Sequence, residues 1–241
     1  MAIYTSKTRI DLEDVCYSNK ITNKAILKIL ENAGARQSET IHFGLNDMEN
    51  VGFSWILLGW KVKILKRPIY NEELTINTWG RDSNRIFTYR DYEIYDESGE
   101  LCTIATSKWA IVDINTGKLR ELTPEIIEKY QCETKKVFEE DYTLKLKEPA
   151  TIIRKQEYKA QRRDIDINKH IHNLYYLDYA YETLPEEVYE APECNNIEIM
   201  YKKQIRLNDE FMCLYTKEEN QNIVTMKSED ENTLHAIIKL Y

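Results

Sequence analysis

The sequence predicts an α+β fold built from two copies of a unit in which one helix packs on an antiparallel sheet. Three observations support this prediction. An amphipathic helical pattern occurs once in each half of the chain, strand-like segments follow each pattern, and a similar turn opens a strand in both halves. Because an amphipathic helix must bury its apolar face, each helix needs a sheet beside it.

In the first half, apolar residues between Ile26 and Ala33 recur at the spacing of one helix face, and we expect Gly34 to end this helix as its C′ residue. Pro124, directly after Thr123, predicts the first position of a short helix. Strands are expected, from alternation and from β-branched and aromatic content, at 73–79, 85–95 and 101–113.

In the second half, apolar residues from Leu174 to Leu184 share one helix face, and Pro185 is expected to end that helix. Further strands are expected from Asn196 to Tyr241. A charge-rich stretch at 133–149 has a weaker pattern and is typical of a linker.

The two halves repeat each other by order of elements. Asn71 and Asn208 each begin an Asn-acid-acid-apolar turn before a strand, at an offset of 137 residues. We therefore divide the chain into a first unit at 1–140 and a second unit, including the linker, at 141–241.

Composition excludes several classes of protein. The net charge of −8 argues against nucleic-acid binding as the main role. The chain contains no run of about 18 apolar residues, so we expect no membrane span. Its five cysteines are scattered without metal-ligand spacing, and its first 15 residues lack the apolar core of a signal peptide. These features favour a reduced, cytoplasmic protein without a bound metal.

The densest polar cluster in the chain lies at 162–176, directly before the second helix. Asp166, Asn168 and His170 alternate, so in an extended segment their side chains would point the same way. An imidazole, an amide and a carboxylate together can activate and orient a water for acyl transfer. The same residue types before a helix also serve as caps and turn formers, and the spacing alone leaves both readings open.

This segment resembles the Asp-x-Asn-x-His signature of the acyl-acyl carrier protein (ACP) thioesterases, a family that includes plant fatty acyl thioesterases and bacterial relatives. The matching positions are Arg163, Asp166, Asn168, His170, Asn173 and Tyr176. The first half is similar to the same family at Trp55, 61–68, 78–79 and 105–113. The resemblance implies a tandem double hotdog, in which two helix-wrapped antiparallel sheets form one continuous sheet.

The resemblance also implies roles for individual residues. Asp166, Asn168 and His170 correspond to the family's catalytic set, and Gln204 stands where the family has a glutamate. Glutamine can orient a water but cannot accept its proton. Either Gln204 positions water while His170 or Asp166 acts as the base, or the site is weakened. The backbone N–H groups of Asn173 and Leu174, at the start of the helix, are expected to stabilise an oxyanion.

The family places its acyl-chain pocket mainly in the first unit. By this resemblance Trp55, Ile56, Leu57 and Leu58 are candidate pocket residues, although a core strand fits them equally well. The basic residues Arg162, Arg163, Lys202 and Lys203 flank the proposed site and are candidates for binding an acidic carrier protein, with solvated surface as the alternative.

The sequence therefore predicts hydrolysis of fatty acyl-ACP thioesters, in fatty acid biosynthesis, to free fatty acid and holo carrier protein. No cofactor is implied, and the partner is an ACP with a phosphopantetheine-linked acyl chain. Two alternatives stay open: a hotdog thioesterase that acts on coenzyme A esters, and a non-catalytic acyl-binding module, which the Gln204 departure allows. The oligomeric state is open, with a homodimer among the candidates.

Overall fold

The computed structural model describes residues 3–81, 85–139, 145–189 and 194–241. The chain divides into two compact units, Met1–Thr143 and Leu144–Tyr241. The predicted boundary between residues 140 and 141 lies outside the described residues, and so does part of the predicted linker.

The first unit is an antiparallel sheet with one long helix against it. Its sheet has the strand order β1-β3-β4-β5-β2, and the short β6 pairs with β5. Helix α1 contacts β1 and β3. The elements are β1 (Tyr4–Arg9), α1 (Asn23–Thr40), α2 (Met48–Val51), β2 (Phe53–Ile64), β3 (Glu73–Gly80), β4 (Phe87–Tyr95), β5 (Leu101–Asp113), β6 (Leu119–Arg120) and α3 (Pro124–Tyr130), with 3-10 turns at Leu12–Asp14 and Leu45–Asp47.

Helix α1 contains the predicted apolar face but continues past its expected end. Thr22 caps it, because its Oγ1 accepts a hydrogen bond from the backbone N–H of Ala25 at 3.1 Å. The prediction that Gly34 is the C′ residue is wrong, since the helix runs to Thr40. A Cβ at Gly34 would lie 3.1 Å from Oη of Tyr92 and 3.2 Å from Cδ of Arg90. Glycine therefore lets α1 approach β4 closely inside the helix, instead of ending it.

The second unit repeats this arrangement with a shorter helix. Its sheet has the strand order β7-β9-β10-β11-β8, and α4 contacts β7, β9 and β11. Leu184 is the C-cap of α4, directly before Pro185, as predicted. The elements are β7 (Arg154–Lys159), α4 (Tyr175–Thr183), α5 (Glu186–Tyr189), β8 (Asn196–Tyr201), β9 (Glu210–Glu218), β10 (Gln221–Ser228) and β11 (Leu234–Leu240), with a 3-10 turn at Arg162–Asp164.

The internal repeat is confirmed. The strand order is the same in both units, and Asn71 and Asn208 take the same left-handed conformation, with φ of 69° and 70°. The repeat also covers the segment between the first strand and the helix of each unit, at an offset of 150 residues. We call residues 11–22 the first pre-helix turn and residues 161–172 the second pre-helix turn. Within the described ranges, no helix has both the length and the apolar character that crossing a bilayer requires.

Candidate active site in the second pre-helix turn

The second pre-helix turn is a closed loop. Ile165 and Ile171 pair as an antiparallel bridge, and the backbone N–H of Asp166 donates to the carbonyl of His170 at 2.9 Å. Lys169 takes a left-handed conformation with φ of 63°, and its N–H donates to the carbonyl of Asp166 at 3.0 Å. The expectation of an extended segment is therefore wrong, and within the turn the side chain of Asp166 contacts both Asn168 and the backbone of His170.

The side chain of Asp166 explains why the chain turns here. Its Oδ1 accepts hydrogen bonds from the backbone N–H of Asn168 at 2.8 Å and of His170 at 3.3 Å. A short carboxylate that bonds its own backbone two residues on replaces a strand partner and closes the loop. The carboxylate thus contacts the backbone of His170, and it organises the turn on which the imidazole is carried.

His170 is the titratable group at the centre of this turn. Its side chain is partly buried, and this desolvation lowers the pKa of the imidazole, since burial disfavours the charged form. Arg206 lowers this pKa further, whereas the carboxylates of Asp166 and Asp209 act in the opposite direction. At neutral pH the ring is therefore mostly neutral and offers one nitrogen lone pair to a proton donor.

Gln204 lies in a segment that runs beside the turn, residues 202–206. The N–H of Ile171 donates to the carbonyl of Ile205 at 2.8 Å, and His170 and Arg206 form an antiparallel bridge. The side chains of Asn168 and Gln204 are both exposed, so a substrate or water can reach these two amides. Their catalytic roles stay predictions.

The predicted oxyanion donors differ in their surroundings. The N–H of Leu174 donates to Nδ1 of His172 at 3.3 Å, so this imidazole acts as a cap before α4 begins at Tyr175. The carbonyl of Asn173 accepts a hydrogen bond from Oη of Tyr201 at 3.1 Å. For Leu174 to serve an oxyanion its N–H must leave His172, and the N–H of Asn173 stays a predicted donor.

Asp164, which belongs to no predicted site, holds the turn against the helix that follows. This carboxylate is buried and accepts hydrogen bonds from Oη of Tyr179 at 2.6 Å and from the N–H of Gln161 at 2.7 Å. Its backbone carbonyl accepts from the N–H of His172 at 2.8 Å. The sequence signal for this role is the aspartate at the equivalent position of the first turn, Asp14. The carboxylate of Asp14 is buried as well.

The candidate carrier-binding residues are all exposed, as such a role requires. Arg162 and Arg163 lie in the 3-10 turn directly before the loop of Asp166, and Lys202 and Lys203 begin the segment that carries Gln204. Two positive side chains therefore lie within the second pre-helix turn, and two lie in the segment beside it. Carrier binding by them stays a prediction.

The candidate acyl-pocket residues lie on β2 of the first unit. Trp55 packs edge-on against Tyr130, with ring centroids 5.6 Å apart, and belongs to the periphery of an aromatic core cluster. Leu57 is buried, and the pairing of β2 with β5 skips Leu58 at a β-bulge. Ile56 is partly buried. These contacts give Trp55 and Leu57 a packing role, and the acyl-pocket assignment stays a prediction.

Solved structures define the class of the fold. The chain superposes on an acyl-ACP thioesterase from Bacteroides thetaiotaomicron with a TM-score of 0.87 and 22% identity, covering 99% of this chain and 97% of the other. It is similar to the 12:0-ACP thioesterase from Umbellularia californica, with a TM-score of 0.87 and 16% identity over 100% and 96% of the two chains. Each unit is thus a hotdog, as predicted.

Sequence comparison identifies the family. The N-terminal domain model of the acyl-ACP thioesterases matches residues 2–130, and the C-terminal domain model matches residues 147–239. The chain belongs to the acyl-ACP thioesterase family. It is 24% identical over 238 residues to oleoyl-ACP thioesterase 2 of Arabidopsis thaliana, a chloroplastic protein. It is also 24% identical over 244 residues to the oleoyl-ACP thioesterase of Coriandrum sativum. These matches cover 92% and 93% of this chain, which spans 65% of each plant relative.

Proposed function

We propose that this chain hydrolyses fatty acyl-ACP thioesters, releasing a free fatty acid and the holo carrier protein. The observation that carries the proposal is the partly buried imidazole of His170, on a turn organised by Asp166, in a chain of the acyl-ACP thioesterase family. Burial lowers the pKa of this imidazole, so it is available as a base at neutral pH.

In the proposed reaction, His170 takes a proton from a water that attacks the thioester carbonyl carbon. The exposed amides of Asn168 and Gln204 orient this water by hydrogen bonds. Because neither amide can accept its proton, the base is the imidazole. The tetrahedral oxyanion is stabilised by the backbone N–H of Asn173 and by that of Leu174, which leaves Nδ1 of His172 when the oxyanion forms. It collapses with loss of the thiolate, which takes the proton from the imidazolium. Thiols have a pKa of about 8.5, so the leaving group needs little further help.

Asp166 supports this chemistry in two ways. It closes the turn through the N–H groups of Asn168 and His170, and its charge offsets part of the pKa lowering that burial imposes on His170. A carboxylate beside an imidazole stabilises the imidazolium that forms during the reaction.

We further propose that the partner is an acidic carrier protein, and that the protein is located in the cytoplasm. Arg162, Arg163, Lys202 and Lys203 supply positive charge around the turn on a chain with a net charge of −8. All five cysteines carry thiols rather than disulfides, which fits a reducing compartment. If the basic side chains steer the carrier, the KM for acyl-ACP rises with salt, and a salt-independent KM would contradict that role.

The test of the proposed function is turnover of acyl-ACP thioesters of several chain lengths, with coenzyme A esters side by side. His170→Ala is expected to lose at least ~100-fold in kcat, because a general base contributes about 10²–10⁴. The matched control is Lys20→Ala, at the equivalent position of the first pre-helix turn, which should keep its activity. Equal activity of wild type and His170→Ala would overturn the assignment, faster turnover of coenzyme A esters would favour that rival substrate, and acyl binding without turnover would favour a binding module.

A further inference from the structure

We propose that His235 is a positioning residue for the reaction: its buried imidazole fixes the segment at 202–206, and through it the turn of His170. This inference rests on the proposed function. It concerns a histidine that lies outside the predicted site in sequence and contacts the segment of Gln204 in the structure.

A β-bulge aims the imidazole at this segment. In the ladder between β10 and β11, Met226 pairs with Ala236 and Lys227 pairs with Leu234, so His235 is the extra residue. Bulges redirect the side chain of the extra residue and often lie next to active sites. The side chain of His235 is buried, and its Nδ1 lies 2.8 Å from the carbonyl oxygen of Lys203. Because a carbonyl only accepts, the ring carries its proton on Nδ1.

The segment held in this way contacts the turn directly. The N–H of Lys202 donates to the carbonyl of His235 at 2.8 Å, so the segment is tied to β11 by backbone as well as by imidazole. Two residues after Lys203, the carbonyl of Ile205 accepts a hydrogen bond from the N–H of Ile171 at 2.8 Å. A displacement of Lys203 would therefore move both Gln204 and the backbone that supports His170.

The two imidazoles also share an electrostatic neighbour. Asp209 acts to raise the pKa of His170 and that of His235, so both rings lie within range of one carboxylate. Burial nevertheless lowers the pKa of His235 below its ordinary value, which keeps this ring neutral at pH 7.

The first unit shows that the fold itself does not require a histidine at this bulge. Between β4 and β5, Ile94 pairs with Thr103 and Tyr95 with Leu101, so Cys102 is the extra residue there. Its carbonyl accepts from the N–H of Leu65 at 2.7 Å, as that of His235 does from Lys202. The side chain of Cys102 is buried as well. A buried cysteine therefore satisfies the bulge where no imidazole-to-carbonyl bond is made.

Three substitutions separate positioning from folding. His235→Cys installs the residue that the first unit uses, and it removes the donor to Lys203. His235→Asn places an amide N–H near the position of Nδ1 and can restore that bond, whereas the amide of His235→Gln falls near Nε2. We expect kcat to fall about 10-fold in the Cys and Gln variants with little change in KM, and to stay within about 3-fold of wild type in the Asn variant.

An NMR readout makes the result independent of turnover. The imidazole resonances of His170 should shift in His235→Cys and His235→Gln but stay near wild type in His235→Asn, and Cys102→Ala should leave both kcat and these resonances unchanged. Wild-type kcat in the Cys or Gln variant, or an equal loss in all three, would overturn the proposal. If the Cys variant does not fold, the Gln and Asn pair decides. If wild type hydrolyses no acyl thioester, the proposed function fails, and the His170 resonances still report on the positioning.

Discussion

The two pre-helix turns have the same backbone and different side chains. In the first, the N–H of Cys16 donates to the carbonyl of Lys20 at 2.9 Å, and in the second the N–H of Asp166 donates to that of His170 at the same distance. Asn19 has a φ of 61° where Lys169 has 63°. The turn is therefore a property of the hotdog unit rather than of one amino-acid set.

Three of the positions that differ between the turns carry the polar residues of the proposed site. Cys16, Ser18 and Lys20 of the first turn correspond to Asp166, Asn168 and His170 of the second. In the first turn the sulfur of Cys16 contacts Oγ of Ser18 at 3.0 Å, so a thiol takes the place that the carboxylate has in the second. Because the fold accepts another set, the residues of the second turn are not explained by folding alone.

The anchors of the two turns differ as well. Asp14 forms an ion pair with Lys28 of α1, whereas Asp164 accepts a hydrogen bond from the phenol of Tyr179 in α4. Both carboxylates are buried and both hold the turn to the following helix. The second turn thus uses a phenol where the first uses an ammonium, and Asp164 also forms an ion pair with Arg163 at 3.7 Å.

The largest expected effect comes from Asp166. Asp166→Ala removes both the acceptor for two backbone N–H groups and the charge near His170, and we expect a loss of about 100-fold in kcat. Asp166→Asn keeps an acceptor oxygen, so its loss should be about 10-fold. Cys16→Ala makes the corresponding change in the first turn and should leave kcat near wild type. Steady-state kinetics on acyl-ACP checks all three, and an equal loss in Cys16→Ala would remove the distinction between the turns.

A smaller effect is expected for the long helix of the first unit. In Gly34→Ala the added Cβ meets Tyr92 at 3.1 Å, and overpacking of this kind costs about 1–3 kcal/mol against a gain of about 1 kcal/mol in helix propensity. We expect a net loss of about 1 kcal/mol in the free energy of unfolding, measured in urea. The exposed neighbour provides the control, since Ala35→Gly should lose about 1 kcal/mol from propensity alone. Stabilisation by Gly34→Ala would contradict the close helix–strand approach.

The smallest effect concerns pH. The base must be neutral, so kcat/KM falls as pH drops through the pKa of His170, and burial places that acid limb below the ordinary value of 6.5. Arg206→Ala removes a positive charge that lowers this pKa, so the limb should move toward higher pH. Asp209→Asn should move it the other way. Both shifts should be small at physiological salt, because Arg206 and Asp209 are exposed and therefore screened. A limb that follows neither substitution would show that another group titrates.

Local patterns predicted most of the elements. The strand at 101–113 and the helix that begins at Pro124 occur as expected, because alternation and capping are encoded by neighbouring residues. The prediction that Gly34 ends the helix is wrong because the glycine is required by a close contact with β4, which is distant in sequence. The bond from Asp166 to its own backbone is local, and the turn chemistry of Asp and Asn could have indicated it. The contact of His235 with Lys203 could not be predicted from the sequence, because the β-bulge that directs this side chain depends on strand register.

Left-handed backbone at Asn19 and at Lys169 has a practical consequence for engineering. Both residues adopt this conformation although neither is glycine, so the rest of each unit already offsets the free energy that the left-handed backbone costs. The substitutions Cys16→Asp, Ser18→Asn and Lys20→His would therefore place the same three polar residues on a backbone that already has the required conformation. Acyl-ACP turnover by the grafted turn, measured in a His170→Ala background, would show how much of the proposed activity depends on these three side chains alone.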